Sequence, residues 1–173
     1  MKRMTDADVE QAVKQAANYY RSSRLYTSLY NTNDAYEHYV NNLMEDTRLI
    51  VQQGHSYKLK EEYIIGVILE QFEKEHPEAH SHYFDCINDY LGPFIRREPN
   101  PVIFICAAAP SEQFFTQNTY KLVKEFVAEY CKKYTVITDC PVEIDFDNFA
   151  DITGSRKVLI AGMEYFRWMR GGK

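Results

Sequence analysis

The chain has 173 residues, 45% of them apolar and 26% charged, so it can bury a core without disulfide or metal staples. Its formal net charge of −5 argues against a bulk polyanion binder, which needs a basic footprint. The charge is uneven: residues 1–91 carry nine Lys/Arg against fifteen Asp/Glu, and residues 92–173 carry eleven against ten. This balance leaves room for a local basic patch in the C-terminal half.

In chain order, the first pattern is helical. Thr5 is a suitable N-cap, Asp6 and Asp8 favour the first turn, and Val9, Val13, Ala16, Ala17 and Tyr20 mark one face of a helix running to about Leu29. Asn31 to Asn33 break it. A second helix carries Tyr36, Tyr39, Val40, Leu43, Ile50 and Val51, and Gly54 is its natural C′ residue. A third helix is expected over Leu59 to Phe72, ended by Pro77, with an all-round apolar centre at Tyr63–Leu69; a β-branched strand is the second reading of that run. A fourth helix spans about 79–91, and residues 92–100, with two prolines and a charged triplet, read as a linker.

Residues 101–137 form a strand–turn–helix–strand pattern. The apolar run 102–107 does not alternate, so both its faces are expected to be covered. Phe114 to Tyr130 is amphipathic, Lys132 and Lys133 complement its C-terminal dipole, and Val136 and Ile137 open the next strand. Residues 142–148 alternate like a half-exposed strand, Lys157–Ala161 reads as another, and Gly162–Lys173 is an aromatic, basic tail.

Cys86, Cys106, Cys131 and Cys140 form no CxxC pair, the N-terminus has no apolar core of a signal peptide, and no segment approaches membrane-spanning length. The expectation is a cytoplasmic protein with reduced thiols and no membrane association.

Four places could carry chemistry. The turn Ala107–Ser111 lies where open α/β sheets bind ligands, and Ser111 would cap the following helix; Ala108, Ala109, Ser111, Gln113 and Asp139 are its candidate ligand-binding residues. It lacks the glycines and Lys of a phosphate loop, so close helix packing is the simpler account. Glu143, Asp145 and Asp147 would project from one side of a strand, roughly 7 Å apart, and could hold a divalent cation; a charged, solvated edge strand is simpler. His76, His80 and His82 are dense in sequence, with no second cluster to complete a zinc site. In the tail, Tyr165, Arg167, Trp168 and Arg170 interleave rings and cations as interaction surfaces do, and Arg96, Arg97, Arg156 and Lys157 could extend the patch.

The expected fold is α+β (or α/β), a helical N-terminal half of about four helices packed with a small C-terminal sheet containing a strand–helix–strand crossover. The division is 1–91 helical region, 92–100 linker and 101–173 small α/β region, or one continuous domain. The leading function is a non-enzymatic interaction or accessory protein, of the kind phages and mobile elements encode, acting on a protein partner through Tyr-rich and aromatic-basic surfaces. Fourteen Tyr against one Trp support it. No cofactor is expected, and a homo-oligomer is compatible with the aromatic surplus. The alternatives are an α/β nucleotide- or phosphate-binding module or metal-dependent phosphoryl-transfer or hydrolytic enzyme, and a nucleic-acid-binding accessory, the less favoured partner class.

Overall fold

The computed structural model describes residues 1–20, 32–79, 82–110, 116–139, 146–160 and 163–169. Among them are strand β1 (Lys2–Arg3), helices α1 (Val9–Tyr20) and α2 (Asn33–Gln52), strands β2 (Tyr57–Leu59) and β3 (Glu62–Val67), and helices α3 (Leu69–Glu75) and α4 (His82–Ile95). Strand β4 (Val102–Ala108), helix α5 (Gln117–Tyr130), strand β5 (Thr135–Asp139), helix α6 (Phe146–Thr153) and strands β6 (Arg156–Ile160) and β7 (Met163–Trp168) follow.

The strands make one seven-stranded sheet in the order β1-β2-β3-β4-β5-β7-β6. Only β4 and β5 are parallel, with Val102 opposite Thr135, and α5 is their crossover. The other pairs are antiparallel. The expected small C-terminal sheet beside four N-terminal helices is thus overturned, because β1, β2 and β3 belong to the N-terminal half. The main error was the run at 63–69. β3 is buried along its whole length, and an apolar pattern on all sides is shared by a central strand and a buried helix. The β-branched character of Ile64, Ile65 and Val67 decides for the strand, and only α3 remains helical there. Residues 92–95, placed in a linker, continue α4 through Pro93. Residues 21–29 of the first expected helix lie outside the described residues.

Strand alternation divides the core. On one face, Tyr63, Ile65, Val67, Val102, Phe104, Ala108, Ile137 and Tyr165 meet the apolar stripes of α1 and α2 together with Leu91 and Ile95 of α4. On the other, Ile64, Ile103, Ile105, Val136, Phe166 and Trp168 meet Leu122, Val123, Phe126 and Tyr130 of α5 and Phe149 of α6. Each fully buried aromatic or branched side chain contributes about 1.5–3 kcal/mol.

One buried group on the first face is poorly matched. Thr47 is fully buried, its hydroxyl has no hydrogen-bond partner among the described residues, and it borders a void of about 20 Å³ lined by Ala16, Tyr39, Leu43 and Phe104. Replacing the hydroxyl by a methyl removes an unmet desolvation cost. Thr47→Val is therefore expected to raise the unfolding free energy by about 1 kcal/mol, measured as an upward shift of the urea midpoint at constant slope.

Candidate anion-binding groove

The C-terminal mouth of β4 and β5 is the first place to look for a ligand. Ala108 and Ala109 are buried at the strand end. Ser111 and Gln113 lie outside the described residues, and Asp139 ends β5 opposite Tyr165. The helix cap is Thr116, not Ser111: its Oγ1 accepts from the backbone N–H groups of Asn118 (3.1 Å) and Thr119 (3.4 Å), while Thr119 Oγ1 accepts from Thr116 N–H (3.1 Å).

Glu62 completes this arrangement. Since Tyr63 pairs with Ala108, Glu62 stands just beyond the end of β4. It is 4% exposed. Its Oε1 accepts the Thr116 hydroxyl, and its Oε2 accepts the Thr119 hydroxyl at 2.7 Å. A helix N-terminus attracts an anion, and here Glu62 takes that place. Sequence reasoning missed it because residues 59–72 were expected to form a helix, within which Glu62 was not singled out.

The other expected sites come together only in part. Glu143 and Asp145 lie outside the described residues, and Asp147 is exposed in the first turn of α6, so residues 146–148 are helical and not the end of a strand. The His76 ring lies tilted against Phe72, with centroids 5.3 Å apart, and Nδ1 is 3.5 Å from a Glu78 carboxylate oxygen. His80 is outside the described residues, and His82 begins α4. In the tail, Tyr165 and Trp168 are 1% and 3% exposed, so these rings are core residues and cannot serve as surface anchors. They sit on opposite faces of β7, as alternation requires. Arg170 is outside the described residues.

The opposite end of the sheet is open. A groove of about 330 Å³ lies between the C-terminal turn of α5 (Val127, Ala128, Cys131, Lys132), the α6–β6 turn (Thr153, Gly154, Arg156) and the end of β7 (Arg167, Trp168, Met169). Local contacts define its walls. Trp168 Nε1 donates to the Thr153 carbonyl at 3.0 Å, which ties the turn to β7. Gly154, at φ +74°, reverses the chain after α6, and a Cβ there would meet nothing within 4 Å. The Cys131 thiol contacts the Trp168 carbonyl at 3.7 Å; burial pushes its pKa up to about 11, so it is a protonated wall group and no nucleophile at neutral pH.

Lys132, Arg156 and Arg167 line the groove, and among the described residues no carboxylate does. Lys132, in the turn after α5, pairs with Glu129 of that helix at 2.6 Å. Arg167 pairs with Glu98, which also accepts from the Thr135 hydroxyl at 3.3 Å, and its guanidinium lies 5.2 Å from the Phe94 ring. Arg156 stands directly opposite Arg167 in the β6–β7 ladder, is exposed, and has no ion pair among the described residues. Like charges directly opposite each other in a ladder repel. One carboxylate, Glu98, answers one of the two arginines.

Among the described residues, no group of three or more His, Cys, Asp or Glu side chains could hold a metal ion, and no helix is long and apolar enough to cross a membrane. No protein-family model matches the chain, and no curated protein matches it.

Proposed function

We propose that this chain is an accessory binding protein that works without chemistry of its own, seating an anionic group of a protein partner in the groove between α5, the α6–β6 turn and β7. The observation that carries this reading is Arg156, an exposed cation with no ion pair among the described residues, which stands opposite Arg167 in the β6–β7 ladder and lines the groove together with Lys132, with no acid among the described lining residues. The apolar part of the lining, Val127, Ala128, Met169 and the edge of Trp168, suits an acidic residue with an apolar neighbour. Two of the tail residues singled out in the sequence, Arg167 and Trp168, take part as walls of a recess.

A protein partner is favoured over nucleic acid because the groove is local and the chain is net acidic, at −5. At low salt, hexaglutamate is expected to raise the melting temperature of the wild-type protein in a saturable way. Arg156→Glu, at an exposed position, should keep the fold and weaken hexaglutamate binding by about tenfold or more. An equal rise in the variant overturns the groove assignment. A larger rise with hexathymidylate, falling steeply with salt, overturns the choice of a protein partner.

A further inference from the structure

A second cluster, on the same face of the sheet but at the β1–β2 edge, has its own chemistry and does not depend on the groove. Gly54 ends α2 at φ +82°, and the next residue, His55, lies against the last turn of α5. The His55 ring meets Tyr130 edge-on at 5.5 Å and Tyr134 at 6.3 Å. Its Nδ1 is 2.9 Å from the Tyr130 hydroxyl, which is 3.0 Å from the Tyr57 hydroxyl. Tyr130 is held in place by stacking on Phe126 at 4.0 Å. If Tyr57 donates to Tyr130 and Tyr130 donates to Nδ1, a neutral imidazole carries its proton on Nε2. That Nε2 has no hydrogen-bond partner among the described residues.

Two cations flank the ring. Arg3 pairs in register with Tyr57, and its guanidinium lies 3.6 Å from where a Cβ of Gly54 would be. Lys133 Nζ lies 5.3 Å over the Tyr134 ring. Both cations are exposed, and neither has an ion pair among the described residues. The groups facing His55 are thus Arg3 from β1, Tyr57 from β2, Tyr130 from α5, and Lys133 and Tyr134 from the turn after α5.

We infer that Arg3, His55 and Lys133 form an anion site that takes a phosphate monoester, with phosphate oxygens accepting from His55 Nε2–H and the two cations and the organic part lying against the half-buried Tyr134 ring. Burial, and then Arg3 and Lys133, hold the imidazole pKa below its usual value. A phosphate dianion between the cations reverses the second influence. Binding should therefore raise the His55 pKa, and by linkage affinity should increase as the ring takes up a proton.

Proton NMR of the five histidines tests this, with His55→Gln assigning the His55 signal. The probes are inorganic phosphate, phenyl phosphate and hexathymidylate. Phenyl phosphate is expected to move the His55 signal saturably and to bind about two- to tenfold more tightly than inorganic phosphate, the worth of one aromatic contact. The surface variant Arg3→Ala/Lys133→Ala should fold normally and lose the response. No shift with either small probe overturns the inference, as does an undiminished shift in the double variant. Hexathymidylate binding far more tightly than phenyl phosphate, with steep salt dependence, overturns it in favour of a nucleic-acid surface.

Discussion

Gly66→Ala is expected to destabilise the protein by about 2–4 kcal/mol, among the larger effects a single methyl group can have. An added Cβ would lie 2.5 Å from the His55 carbonyl oxygen and 3.4 Å from Ile103 Cδ1. The first neighbour is backbone and cannot swing aside as a side-chain tip does. Nor can β3 retreat, since it is paired on one side with β2 and on the other with β4. The same contact is fastened by Gly66 N–H donating to Ser56 Oγ at 3.2 Å, with Ser56 itself 1% exposed. Urea unfolding checks the expectation. A loss below about 0.5 kcal/mol would mean that the 54–56 segment moves away freely and does not lie close over the strand.

Glu62→Ala is expected to cost about 3 kcal/mol. It removes the acceptor of two hydroxyls, those of the half-buried Thr116 and the buried Thr119, and it takes the negative charge from the first turn of α5. Glu62→Gln keeps the shape and one good acceptor, and should cost about 1–2 kcal/mol. A double-mutant cycle with Thr119→Val should show coupling of about 1 kcal/mol or more. Additive losses would contradict the pairing. Because Cys131 and Lys132 follow directly on the far end of α5, loosening its first turn should also weaken binding at the groove without altering any groove residue.

These two residues also show why the N-terminal half was misread. In β3 neither face is wet, so no alternation marks the strand, and Gly66 reads as an ordinary interruption of a helix until the chain crossing above it is seen. β1 and β2 span two and three residues, too short for any period to register. By contrast, the β4–α5–β5 crossover was legible, because a buried apolar run, a long amphipathic segment and a second apolar run each carry their own signal. Residues 146–153 form a helix, and its first residues, 146–148, were taken for the end of a strand because Val142, Ile144 and Phe146 alternate in sequence; Phe149 packs into the core.

The groove was only half visible. Arg156, Arg167 and Trp168 were recognisable as a basic and aromatic set, but the β6–β7 register is what places the two arginines opposite each other. Lys132 was explained as a dipole partner of its own helix, and nothing local connects it with a strand 24 positions later. The buried state of Trp168 follows from strand alternation, once β7 is known to lie between β5 and β6.

Trp168 is the single tryptophan of the chain and forms one wall of the groove, so its emission reports directly on occupancy. Titrating the protein with hexaglutamate at low salt should shift Trp168 fluorescence saturably, and the change should disappear in Arg156→Glu and in Lys132→Glu. An unchanged spectrum in the wild type, or the same saturable change in both variants, would contradict the seating of an anionic partner in this groove.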